Sequence, residues 1–110
     1  MFVVSTPTAP REKIVHPDPS AFDLATIMRT LGDPVRLDIV RLLAHEGEHS
    51  CGRLSATLGL PTSTSSYHLR LLREAGVLRT RAEGTSRLIS LRRDELEGRF
   101  PGLVDVLTRD

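Results

Sequence analysis

Tryptophan is absent from these 110 residues, aromatic side chains make up only 4%, and cysteine occurs once, as Cys51. A lone thiol cannot close an internal disulfide, so disulfide-stapled scaffolds are excluded and a reducing cytoplasm is the expected compartment. No apolar run approaches the roughly 20 residues that cross a bilayer, so no membrane association is expected. The first residues also lack the basic-then-apolar order of a secretory signal. An excess of one charge is missing too, the formal net charge being +1. What is present is ordinary for one globular domain with a modest core: 39% hydrophobic and 26% charged residues.

The near-neutral total conceals an uneven distribution. Residues 53–93 hold eight arginines against two glutamates, whereas residues 1–52 and 94–110 each carry more acids than bases. A basic middle between mildly acidic ends suggests a polyanion-binding segment held by scaffold segments; a solvated arginine-rich surface is the plainer reading.

Punctuation along the chain sets the elements. Pro7, Pro10, Pro17 and Pro19 mark residues 1–19 as a flexible arm, and residues 20–110 form the domain. Ser20 is placed to cap a first helix, with Asp23 in the capping-box position and Phe22, Leu24, Ile27, Met28 and Leu31 at helical spacing up to Gly32. Asp33 caps the next helix and Pro34 opens it; Leu37, Val40, Leu43 and Ala44 give its apolar face. Ser50 starts a short helix over residues 51–58. Gly59-Leu60-Pro61 makes a tight turn into a longer helix over residues 62–75, which Gly76 closes. Residues 77–81 and 87–91 read as strands of a hairpin, and residues 94–108 are helical on both sides of Pro101-Gly102. The fold class is therefore mainly α with a small β-hairpin, in the order of a winged helix-turn-helix.

The stretch HEGEH, His45 to His49, spells H-E-x-x-H, the zinc signature of a peptidase helix. Gly52 falls where one zinc-peptidase subclass has its glycine, but Ser55 stands where that subclass has a third histidine. Such a site needs an unbroken helix, so that histidines at i and i+4 project toward one ion. Gly47 lies just after the last periodic residue, where a helix ends. HEGEH therefore reads as a helix end followed by a histidine in the next connection, and no catalytic activity is expected. A metal site shared between subunits through His45 and His49 is one alternative, and a zinc hydrolase a more distant one.

The chemistry lies in the helix TSTSSYHLRLLREA. Ser65, Leu69 and Leu72 share one side of its wheel with His68 at the margin, while Ser63, Ser66, Tyr67, Arg70 and Glu74 lie opposite. Short hydroxyls permit close approach to bases or phosphates, the helix N-terminus favours phosphate, and Arg70 can reach a guanine edge or the backbone. In the hairpin, Arg79, Arg81 and Arg87 are placed to grip the DNA backbone beside the groove, or for one of them to enter the minor groove. A self-capping, solvated polar face is the competing reading, and it weakens with the turn before the helix and the basic hairpin after it. The DNA-contacting set is thus Thr62, Ser63, Thr64, Ser66, Tyr67, His68, Arg70, Arg79, Arg81 and Arg87, with His68 read as packed or touching phosphate.

LGDPVRLDIVRLL, LSATLGLPTSTSSYHLRLLREAGVL and RAEGTSRLISL resemble the ArsR/SmtB-type winged-helix transcriptional repressors, over roughly residues 20 to 100. The resemblance implies a homodimer joined through its outer helices, here the Ser20 and Asp94 segments, and reading of a pseudo-palindromic double-stranded operator. It matches Thr62, Ser63, Ser66 and Tyr67 to base-facing positions, with Arg70 and the wing arginines behind them. Two departures stand out. Ser65 occupies a usually apolar position, which implies a less firmly seated helix. Ser50 and Gly52 replace the two cysteines that bracket one residue in metal-sensing members, and the C-terminal segment lacks histidine, so both familiar metal sites are missing and no cofactor is expected.

Cys51 reads as a small packed residue. The alternative is a redox-sensing thiol, its pKa lowered by the helix N-terminus and Arg53. Leu91, Leu96, Phe100, Leu103 and Leu107 read as core and dimer packing. The expected function is a cytoplasmic, dimeric, sequence-specific DNA-binding repressor released by an effector, the runner-up being a metal- or redox-responsive repressor using His45 and His49 or Cys51.

Overall fold

Side-chain caps decide where the helices begin. In a computed structural model that describes residues 14–109, helix α1 (Leu24–Leu31) is capped by Asp23, whose carboxylate accepts from the Thr26 N–H at 3.0 Å and its hydroxyl at 2.7 Å. The cap expected at Ser20 is therefore displaced. Ser20 sits inside a single 3-10 turn (Pro19–Ala21) started by Asp18, and Phe22 leaves that turn in extended conformation to bury its ring before the helix begins. Helix α2 (Pro34–Glu46) follows the expected pattern, with Asp33 Oδ1 accepting from Val35 and Arg36 at 2.8 and 3.1 Å. Ser50 caps α3 (Cys51–Leu58) through the Arg53 N–H, and Pro61 leads into α4 (Thr62–Glu74).

A three-stranded antiparallel sheet completes the wing. Strands β2 (Leu78–Glu83) and β3 (Ser86–Leu91) pair with Thr80 opposite Ile89, Arg81 opposite Leu88 and Ala82 opposite Arg87. A two-residue strand β1 (His49–Ser50) joins the other edge of β3, giving the order β1-β3-β2. Its two residues leave no periodicity to read, so the sequence offers a hairpin alone. The chain ends in α5 (Arg93–Arg99) and α6 (Leu103–Thr108). Ile27, Ile39, Val40, Leu54, Leu72, Leu78, Ile89, Leu96 and Val104 are buried in one core, so six helices and the wing close on the same centre. Burying each such side chain stabilises the fold by about 1.5–3 kcal/mol. Of the apolar positions expected to pack in the last segment, Leu96 is fully buried, and Leu91, Phe100, Leu103 and Leu107 lie half-buried against the core.

The arm expected over residues 1–19 falls partly outside the described residues. Its last part is tied down: the Thr80 N–H donates to His16 Nε2 at 3.0 Å, and Arg92 donates to the Pro17 carbonyl at 2.9 Å. His16 and Pro17 thus occupy bonding groups that β2 and Arg92 would otherwise offer to solvent.

Gly76 shows how closely this N-terminal segment packs. Its φ of 92° lies in the left-handed region, and a Cβ there would stand 2.4 Å from Phe22 Cε1. Helix α4 can turn into β2 over Phe22 only with no side chain at this position. Gly76→Ala should therefore lower stability by roughly 2–4 kcal/mol, combining backbone strain with overpacking; a urea midpoint unchanged from the native protein would contradict this account.

Candidate nucleic-acid interface

Helix α4 is seated by one face and exposed along the other, as its wheel requires. Ser65, Leu69, Leu72 and Arg73 are buried, whereas Thr62, Ser63, Ser66, Tyr67 and Arg70 are exposed. The looseness expected from Ser65 is not found. Ser55 Oγ donates to Ser65 Oγ at 2.8 Å, a buried hydrogen bond that replaces apolar contact between α3 and α4 and satisfies both helices' polar groups. Among the described residues, no side chain caps the first turn of α4, so its leading N–H groups and the positive end of the helix dipole lie beside the exposed Ser63. Tyr67 is 51% exposed, and the Arg70 guanidinium lies 5.8 Å from its ring centroid, so each limits the other's freedom.

Strand parity sorts the wing arginines. Thr80, Ile89 and Arg87 lie on the side of the sheet that faces α4, where they line a cleft of about 670 Å³ together with Ser66, Tyr67, Arg70 and Arg73. Arg79 and Arg81 alternate to the opposite side. Arg81 is held bidentately by Glu48, at 3.0 Å for each bond, and by Glu83 at 3.3 Å. Arg79 donates to Glu95 at 2.7 Å. Among the described residues, Arg70 and Arg87 have no carboxylate within ion-pair distance. The three arginines grouped together from sequence therefore separate into one that faces the cleft and two neutralised on the far side.

His68 and Thr64 also part from the exposed group. Both are half-buried one turn apart on the flank of α4, and His68 Nδ1 accepts from Arg36 of α2 at 3.3 Å. Since arginine only donates, this nitrogen is the unprotonated one. Arg73 and Thr80 line the cleft and were missed from sequence. Thr80 was legible in principle, being two residues from Leu78 on the inward parity; Arg73 shares the buried face with Leu69, where an arginine is unexpected.

HEGEH does not form a metal-binding helix face. Gly47 adopts φ 85° and ends α2 between the two histidines. His49 is buried on β1, with Nδ1 donating to the Gly47 carbonyl at 3.0 Å and Nε2 lying 3.1 Å from Glu46 Oε1, while His45 is exposed on the last turn of α2. Both ring nitrogens of His49 are thus engaged within its own turn. For Cys51, which reads from sequence as a small packed residue, the thiol pKa moves opposite to the lowering that the alternative redox reading invoked. Burial pushes it up, opposed by the charge of Arg87 rather than aided by Arg53, which points to solvent.

Behind the wing, Arg92 is only 5% exposed and grips both oxygens of Glu95, at 2.7 and 3.0 Å. Its hydrogen bonds hold the Glu95 carboxyl down at about 2 against the opposing effect of burial, with Arg79 adding to the pull.

A helix seated by α3, a presented polar face and a sheet flanking it define a winged helix-turn-helix module. A model described as a helix-turn-helix domain matches residues 31–81. An uncharacterized HTH-type transcriptional regulator of Bacillus subtilis, YceK, is 38% identical over 84 residues, covering 76% of this chain and 84% of that protein. Among solved structures, the transcriptional repressor BigR from Xylella fastidiosa matches with a TM-score of 0.62 and 34% identity, over 76% of this chain and 81% of that one. The homodimeric winged helix-turn-helix DNA-binding domain of Mb0332 from Mycobacterium bovis, a possible ArsR-family regulator, matches with a TM-score of 0.64 and 29% identity over 76% of each chain. The chain belongs to the ArsR/SmtB-type family of winged helix-turn-helix transcriptional regulators. Its biochemical role is that of a DNA-binding regulator, not an enzyme.

A carboxyl depressed in the folded state stabilises that state above its unfolded pKa and ceases to do so as pH falls toward the folded value. Glu95 should therefore withdraw its contribution between about pH 4.5 and 2. Glu95→Gln should unfold at lower denaturant at pH 7 and show a shallower loss of stability on acidification through this window; parallel pH profiles would contradict the pairing.

Proposed function

We propose that the chain is a cytoplasmic, homodimeric repressor that reads a pseudo-palindromic double-stranded operator with α4 of each protomer. The observation that carries this reading is the division of arginines: among the described residues, Arg70 and Arg87 flank the exposed face of α4 without carboxylate partners, while Arg79 and Arg81 are ion-paired on the far side of the wing. In this reading Thr62, Ser63, Ser66 and Tyr67 enter the major groove N-terminus first, and Arg70 and Arg87 meet the flanking phosphates. Thr64 and His68 position the helix from its flank.

Dimerisation supplies the second half-site. Leu24 and Met28 on α1 are exposed, as is Val106 on α6 at 63%, and both helices pack on α2. Large apolar groups left on outer helices suit a second copy, and the homodimeric Mb0332 domain supports that arrangement. Two such copies place recognition helices about one DNA turn apart, roughly 34–36 Å. Repression fits the naming of relatives such as the Agrobacterium fabrum biofilm growth-associated repressor, 39% identical over 75 residues that cover 68% of this chain and 63% of that protein. Release would come from an effector that binds a form of the protein unable to hold DNA.

Fluorescence-anisotropy titrations at several salt concentrations test the assignment, with a duplex from upstream of the gene beside a scrambled one. Arg87→Ala should weaken both complexes similarly and reduce the salt slope by about 1, whereas Arg81→Ala should change little, because its charge is already paired. Tyr67→Ala should reduce the preference for the upstream duplex about tenfold or more. Equal losses from Tyr67→Ala on both duplexes would remove it from base reading, and equal effects of Arg81→Ala and Arg87→Ala would overturn the division of the wing.

A further inference from the structure

The cleft between α4 and the wing has a rim and a floor of different chemistry. The hydroxyls of Ser63, Ser66 and Tyr67 and the guanidiniums of Arg70 and Arg87 line its exposed and half-buried part, while Thr80 and Arg73, 7% and 9% exposed, lie deeper. Among the described residues, no aspartate or glutamate lines it. Its base is formed by Leu69, Ile89 and Cys51; the first two are 6% and 1% exposed, and burial keeps the thiol uncharged. A DNA phosphate would satisfy the cationic rim but leave the apolar base unused. Its volume of about 670 Å³ falls within the roughly 300–1,000 Å³ of pockets that hold small organic molecules.

We propose that this cleft binds a small organic anion, its charge set between Arg70 and Arg87 and its apolar body on Leu69, Ile89 and Cys51, and that this occupant and operator DNA exclude one another. The exclusion rests on the DNA-binding reading above, since Ser66, Tyr67, Arg70 and Arg87 would serve both. Competition then follows from shared groups and needs no distant conformational relay: an anion bound to the free form lowers apparent operator affinity by mass action. The anion is a carboxylate or phosphate monoester on an aromatic or short aliphatic body, the pairing of charge and apolar surface that the rim and base together match.

Cys51 is the sole cysteine and reports occupancy of the base directly. The full-length protein is alkylated with neutral iodoacetamide, followed by mass spectrometry, in the presence of benzoate, 2-naphthoate, inorganic phosphate or the uncharged 2-naphthylmethanol at matched ionic strength. The aromatic carboxylates should slow alkylation at least fivefold, phosphate and the alcohol should not, and Arg87→Ala should relieve the protection. Anisotropy with the upstream duplex runs in parallel, where 2-naphthoate should displace DNA with the same concentration dependence as it protects Cys51. Protection by phosphate equal to that by the carboxylates would reduce the cleft to a seat for bare phosphate, and absence of protection by either carboxylate would also overturn the proposal. Failure of the duplex to bind would count against the DNA reading alone, because Cys51 protection is measured without DNA. Protection without displacement would leave an anion site but overturn mutual exclusion.

Discussion

A single buried guanidinium holds the parts of this molecule in register. Arg92 gives one N–H to the Pro17 carbonyl and two to Glu95, and stacks 4.9 Å from the Phe22 ring centroid, while its backbone N–H bonds to Val77. The segment before α1, the exit from α4, the end of β3 and the start of α5 thus converge on one charge. A buried cation without these partners would cost several kcal/mol, so the arrangement is kept or lost as a unit. Phe22 lies between Arg92 and the bare backbone of Gly76, and this fixes the angle at which the wing leaves α4.

That angle matters because the wing is a two-faced sheet. Once β2 and β3 are placed, alternation sends Thr80, Arg87 and Ile89 toward α4 and Arg79 and Arg81 away from it, and Glu95 and Glu48 complete the far side. Positive charge therefore remains available where α4 presents its hydroxyls, Tyr67 and Arg70. A basic stretch in the sequence becomes, through strand parity, a cleft with direction. The same construction gives that cleft an apolar base, which makes regulation by a small anion a question of geometry.

Much of this was legible in the residues. Asp33-Pro34, Ser50, Gly59-Leu60-Pro61 and Gly76 each mark a boundary that recurs in the structure, because caps and turn residues act locally. The exposed and buried faces of α4 followed from spacing alone. What escaped depended on distant partners. Ser20 yielded its cap to Asp23 because Phe22 had to be buried first. Ser65 proved firmly seated because Ser55, ten residues away, supplies its hydrogen bond. That Arg79 and Arg81 pair with Glu95 and Glu48 while Arg87 faces the cleft depends on partners that no local pattern announces. HEGEH was separated from its zinc-binding namesakes by Gly47, a local signal, while the burial of His49 required β3 to be in place.

The central claim is that α4 and one face of the wing, but not the other, meet DNA. Amide chemical-shift mapping of the ¹⁵N-labelled protein against the upstream duplex tests it most directly. The account predicts shifts concentrated at residues 62–70, Thr80 and Arg87, with Arg79, Arg81 and Glu48 little changed. Shifts centred on Arg79, Arg81 and Glu48, with α4 silent, would contradict it.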